Sequence, residues 1–154
     1  MSPVESGANL MHNVVLWARR VSQAALGALL LSAGTSHLTV SRLEFQAQVP
    51  TWLPLDPDFV VISSGIVEIL LGLALITLWP FRKRVGLLVA LFFVAIFPGN
   101  INQFVNGIDA FGLNSDSARA VRLLFQPVLV LWALWSTDAV RQKTEERSAR
   151  RPAR

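Results

Sequence analysis

Cysteine is absent from the 154 residues. Disulfide staples, thiolate metal sites and thiol redox chemistry carried by this chain are therefore excluded. Charge is scarce. Only 16% of residues are Asp, Glu, Lys or Arg, against roughly 25% in soluble domains. Two histidines make up the whole imidazole complement. In the topology derived below, His12 lies on the cytoplasmic side and His37 stands alone, so no metal site is expected. No basic patch with interleaved aromatics is present, which argues against a nucleic-acid partner. No nucleophile–base pair, metal-ligand set or nucleotide loop stands out. Catalytic residues are thus unknown, and a free-standing enzyme ranks last.

What is present is apolar: 53% of the chain is hydrophobic. The centre of its organisation is Ser63-Ser64-Gly65-Ile66-Val67-Glu68-Ile69-Leu70-Leu71-Gly72. Glu68 is the one charge between Phe59 and Trp79, a stretch long and apolar enough to cross a membrane. An ionisable residue inside such a span is costly and is read by default as a functional site. Three further spans are expected, giving limits of about 21–40, 59–79, 85–106 and 118–140. Residues 1–20 read as a polar cytoplasmic or interfacial segment, and 141–154 as a basic cytoplasmic tail. Arg19-Arg20 before an apolar run suggests a signal peptide, but no clean small-x-small cleavage site follows. The segment is therefore read as an uncleaved first helix. Ser41 to Asp58 carries Pro50, Pro54 and Pro57, so an irregular segment is expected there, with Trp52 anchored at the membrane surface. The strongly apolar part of the third span stops at Phe97, and Pro98-Gly99 then supplies a kink or break.

Basic residues set the orientation. Arg19 and Arg20 precede the first span, Arg82, Lys83 and Arg84 separate the second and third, and six more follow Val140. The positive-inside rule puts both termini and the 2–3 turn in the cytoplasm. The fold class is all-α: an integral membrane antiparallel four-helix bundle with both termini cytoplasmic.

Depth then sorts the polar side chains. At 1.5 Å per helical residue, Glu68 lies ~16 Å above the cytoplasmic end, Gln126 ~18 Å, and Asn100, Asn102, Arg122 and His37 at ~22–26 Å. All four helices place hydrogen-bonding groups in the outer half and none in the inner half. In lipid these groups must satisfy one another or water. They predict an outward-opening polar pocket with Glu68 at its floor and Arg122 near its mouth. The expected ligand-binding set is Glu68, His37, Ser64, Asn100, Asn102, Arg122 and Gln126. Apolar inner halves would seal it, which disfavours a through-channel.

An ordered series of motifs carries a resemblance. It runs from Ala33-Gly34 with His37, through Pro50 and Leu53-Pro54, to Ser64-Gly65 with Glu68 and Gly72. Arg84, Phe97-Pro98-Gly99-Asn100-Ile101, Arg122-Leu123, Gln126 and Trp132 complete it. The chain resembles the DoxX-like family of four-helix bacterial membrane proteins. That resemblance implies a multi-pass protein of the bacterial plasma (inner) membrane, linked to quinone-associated redox chemistry. A quinone is the cofactor candidate, and the related thiol-redox chemistry does not carry over without cysteine.

Each candidate also has a plainer reading. Glu68 can be structural, hydrogen-bonded to Gln126 or an asparagine to fix helix packing. His37 can bond loop backbone, and Asn100 and Asn102 the groups that Pro98 frees. Arg119 is expected to snorkel outward. Three functions follow: a binding or accessory component of membrane redox processes, a small-molecule or proton-coupled transporter, and a structural or assembly subunit. Expected partners are the lipid bilayer, a quinone or lipid-like molecule, and a membrane redox complex or a second copy.

Overall fold

The computed structural model describes residues 3–140; the basic tail at 141–154 lies outside them. The described residues form five helices and a short 3₁₀ turn, with no strand. The helices are α1 (Pro3–Leu38), α2 (Arg42–Gln48), α3 (Pro57–Thr77), α4 (Arg82–Val105) and α5 (Asp116–Ser136), and the turn is Trp79–Phe81. Four are long and apolar enough to cross a membrane: the spans are Asn9–Leu38, Pro57–Thr77, Trp79–Val105 and Asp116–Ser136.

The helix ends follow local chemistry. Asp56 caps α3 by accepting from the Phe59 N–H at 3.0 Å, and Pro57 occupies the first turn, where its missing N–H costs nothing. Ser115 takes that role for α5 by accepting from the Ala118 N–H, a cap that the sequence places at Asp116 or Ser117. Two expectations are corrected here. The first helix begins at Pro3, because no proline interrupts the chain before the span and the helix simply propagates outward. Part of the proline-rich connection is regular: α2 ends before Pro50, Pro50 and Pro54 fall in the segment after it, and Pro57 opens α3. Pro98 does not end α4, which continues through it to Val105.

The four long helices pack in the cyclic order α1, α3, α4, α5, and the backbones of the diagonal pairs stay apart. The closest pair is α1 with α3, and glycines set the approach. Gly27 faces Gly72, and Gly34 faces Gly65. A methyl on Gly27 would lie 2.8 Å from the Gly72 carbonyl oxygen, and one on Gly34 2.5 Å from that of Gly65. Each pair of glycines is seven residues apart on its own helix, two turns, so one stripe meets the other along an antiparallel seam.

Leu26, Leu30, Leu75, Val85, Val89, Phe93 and Ala133 fill the end of the bundle away from α2. That end is not purely apolar, as the depth argument expected. Gln23 is 1% exposed and donates to the Leu75 carbonyl at 2.6 Å. Trp132 Nε1 donates to Ser22 Oγ at 2.6 Å, and Arg19 pairs with Asp138 at 2.6 Å. Polar side chains here tie α1 to α3 and α5 rather than line a space. Outside them, Trp79 is flanked by the guanidinium groups of Arg20 at 4.6 Å and Arg82 at 4.7 Å, a cation–π cluster.

Candidate functional site

At the α2 end the two helix pairs part, and a cavity of about 690 Å³ opens between them. Its volume suits a small-molecule site. Helices α1, α3, α4 and α5 all contribute walls, and α2 with the following segment contributes Phe45, Gln48, Pro50 and Trp52. The walls are largely apolar: Leu29, Leu30 and Ala33 from α1, Phe93 and Ile96 from α4, and Val121, Phe125 and Leu129 from α5. Among the described residues, the hydrogen bond between α1 and α5 and the ion pair from α1 to Asp138, just after α5, both lie at the far end. Beside the cavity these helices show exposed apolar side chains, Phe125 at 58% and Leu29 at 42%.

Six of the seven expected residues come together around this space: His37, Ser64, Glu68, Asn100, Arg122 and Gln126 line it. Asn102 is not in the lining; it donates to the Gln48 carbonyl at 3.2 Å and anchors α2. The polar groups divide into two sets with different chemistry.

The first set is a connected amide network. Gln126 Nε2 donates to the Phe93 carbonyl at 2.5 Å, one turn before Pro98. Asn100 Nδ2 donates to Gln126 Oε1 at 2.9 Å. Arg122 donates from Nε to Asn100 Oδ1 and from a terminal nitrogen to Gln48 Oε1, each at 3.3 Å. Gln48 Nε2 donates onward to Gln103 Oε1 at 2.5 Å. These residues satisfy one another and brace α2, α4 and α5. Replacing Gln126 with leucine removes two interhelical bonds, and a loss of about 1–2 kcal/mol is expected at typical membrane values. Thermal unfolding of the purified protein in detergent measures it; an unchanged midpoint would show the network to be idle.

The second set is His37 with Glu68. Glu68 is 4% exposed and His37 8%. His37 Nδ1 lies 2.8 Å from the Ala33 carbonyl oxygen and 3.0 Å from Glu68 Oε2. A carbonyl oxygen only accepts, so Nδ1 carries the proton and directs it there. Glu68 Oε2 sits within contact distance but off the N–H line, and it is a buried oxygen with no hydrogen-bond partner. The structural reading, in which Gln126 or an asparagine holds Glu68, is not what the geometry presents. Arg122 forms no ion pair with Glu68 among the described residues. Ser64 supports the set only locally, donating to the Val61 carbonyl at 3.0 Å.

Glycine makes the His37–Glu68 meeting feasible. A methyl on Gly65 would lie 2.8 Å from His37 Cβ, and one on Gly34 3.0 Å from Glu68 Cβ. The short pieces Ala33-Gly34…His37 and Ser64-Gly65…Glu68 therefore face each other across the α1–α3 seam. The rim is aromatic. The His37 ring stacks on Phe45 at 3.4 Å between centroids, Phe45 meets the edge of Phe111 at 4.5 Å, and Arg122 lies 4.5 Å over Phe111.

Four contributors escaped the sequence reading: Phe45, Gln48, Gln103 and Phe111. Nothing in the local pattern marks Phe45, Gln48 or Phe111, since all three sit in connections or a short helix. Gln103 follows Asn100 and Asn102 in one polar run, and that run was the available signal. Arg119 does not snorkel. It is 8% exposed and donates to Asp109 at 2.7 Å, Asp116 at 2.8 Å and the Leu113 carbonyl at 3.0 Å, which shapes the α4–α5 connection. Glu44 of α2 accepts from the Phe111 N–H of that connection. Arg42 of α2 pairs with Asp58 at the start of α3. The lid over the cavity is thus fastened on two sides.

Residues 26–137 match a family model described as a domain of unknown function, DUF8561. No curated protein matches the chain, and no solved structure does.

Proposed function

The chain belongs to the DUF8561 family, a domain of unknown function, and from that premise and the cavity we propose a membrane protein that binds an amphipathic small molecule. The observation that carries this is Glu68: a nearly buried carboxyl in the wall of a cavity of about 690 Å³, with one oxygen lacking any partner. An ionisable side chain placed at that cost inside an apolar span is better explained by a ligand than by packing. The apolar walls suit the body of such a ligand, and the polar residues at the α2 end suit its head. The ligand reaches the cavity from the bilayer between α1 and α5, where Leu29 and Phe125 are open to the outside.

In this proposal the four spans cross the bacterial inner membrane with both termini in the cytoplasm, as the distribution of Arg and Lys favours. The cavity then opens toward the outer face. The resemblance to DoxX-like proteins supports placing the function beside quinone-linked redox chemistry, as a binding or accessory component. The apolar packing of Leu26, Leu75, Val85, Val89 and Ala133, which lie outside the cavity lining, speaks against a continuous path for transport.

The test fills the space. The full chain and an Ala33→Phe variant, which puts a ring into the cavity wall, are extracted from membranes with their native lipid, and bound molecules are identified by mass spectrometry. One amphipathic species should be enriched with the unaltered chain and reduced about fivefold or more in the variant, the equivalent of a lost contact worth ~1 kcal/mol. Lipid profiles identical to the bulk membrane in both samples would sink the proposal.

A further inference from the structure

We infer that the occupant of this cavity carries a hydroxyl donor on an aromatic head, a phenol-type group, and that Glu68 accepts its hydrogen bond. The inference rests on the binding role proposed above and adds the chemistry of the head. His37 Nδ1 has its proton committed to the Ala33 carbonyl, 2.8 Å away. In the neutral ring that leaves Nε2 as an acceptor. Glu68 Oε2 is enclosed, with His37 Nδ1 at 3.0 Å off the N–H line and no hydrogen bond made. Among the described residues no hydrogen bond reaches Oε1 either, so a donor in the cavity that Glu68 lines meets the carboxyl through Oε1. The pair therefore offers acceptors and asks for a donor. A molecule bearing only carbonyl or ether oxygens leaves that demand unmet, at the cost of a buried orphan.

The donors on the other side of the cavity are mostly occupied. Gln126 spends an amide proton on the Phe93 carbonyl, Asn100 spends one on Gln126, and Arg122 donates to Asn100 and Gln48. These groups hold the wall in shape and add no competing partner for Glu68. Flat aromatic surfaces at the rim, the stacked His37 and Phe45 and the edge-packed Phe111, match a ring better than a branched head. Were the ligand redox-active, its reduced, hydroxyl-bearing form would fit this end, and the oxidised, carbonyl-only form would not.

Three probes of nearly equal shape decide it: 4-heptylphenol, its methyl ether and heptylbenzene. Each is titrated calorimetrically into the full chain in detergent, with empty micelles as the reference for partitioning. The phenol should bind at least about tenfold more tightly than the ether or the hydrocarbon, as a hydrogen bond to an otherwise unpaired buried acceptor requires. In Glu68→Gln, whose amide presents a donor beside an acceptor, the phenol-to-ether ratio should fall toward one. Equal affinities for phenol and ether in the unaltered chain would overturn the assignment of a donor head while leaving the cavity as a binding site. Failure of all three to bind above the micelle reference would overturn both. A preference for phenol that survives Glu68→Gln unchanged would remove Glu68 as the acceptor.

Discussion

Leucine in place of Gly34 should leave no folded bundle. A single methyl there would already lie 2.5 Å from the Gly65 carbonyl oxygen, 2.8 Å from Ile69 and 3.0 Å from Glu68 Cβ. The nearest obstacle is backbone, which cannot rotate aside as a side chain can. Relief requires α1 and α3 to separate along their whole seam, and this would also part Gly27 from Gly72 and His37 from Glu68. Overpacking in a tight interior costs about 1–3 kcal/mol when side chains can yield, and here the expected loss is ~3 kcal/mol or more. Size-exclusion chromatography and thermal melting of helicity in detergent should show aggregated or non-cooperative protein. The control is Gly99→Ala in α4. Its added methyl meets only the Gln48 carbonyl oxygen at an ordinary 3.5 Å. Alanine is favoured over glycine in a helix by about 1 kcal/mol, so that variant should melt at or slightly above the parent temperature. A Gly34→Leu protein melting like the parent would mean that the α1–α3 seam is looser than the glycine contacts imply.

Replacing Glu68 with methionine should raise the melting temperature, not lower it. The carboxyl is almost fully buried, and Oε2 has no hydrogen-bond donor. Methionine is similar in length and adaptable in shape, and it removes the burial cost of an ionisable group without opening a hole. Replacing poorly compensated buried charge by apolar side chains is known to stabilise by about 1–4 kcal/mol, and a gain of ~1–3 kcal/mol is expected here. The same variant should lose the small-molecule binding proposed above. A site that costs stability and confers binding gives these opposite signs. Packing glue gives the reverse, with stability lost and nothing else changed. A melting temperature lowered by several degrees in Glu68→Met would therefore return Glu68 to a structural role.

Much of the polar constellation was legible because membrane helices make depth a linear coordinate. Counting residues from the span ends put Glu68, His37, Asn100, Arg122 and Gln126 in the outer half of the bundle, and all five line the cavity. The count fails where a residue is not in a long span. Phe45 and Gln48 belong to α2 and Phe111 to a connection, and their approach depends on how those segments fold back over the helix ends. It fails again at Gln23, which was too near the end of its span to register as buried. Depth also says nothing of direction around the helix axis, and so it could not separate Gln126, bonded to Phe93 and Asn100, from Glu68, left without a donor.

The amino-acid sequence by itself determined that this chain is helical, that it has four segments able to cross a membrane, and that one of them carries a carboxylate between glycines. Those properties follow from composition and periodicity along single helices, and no tertiary contact alters them. Tertiary structure alone decided that Gly27 meets Gly72 and Gly34 meets Gly65, that His37 reaches Glu68, and that the other amides satisfy each other. Partner choice across a bundle depends on helix rotation and offset, which arise from packing all the helices at once. The Glu68 oxygen without a partner is such a property, since only the full set of neighbours shows that none of them donates to it.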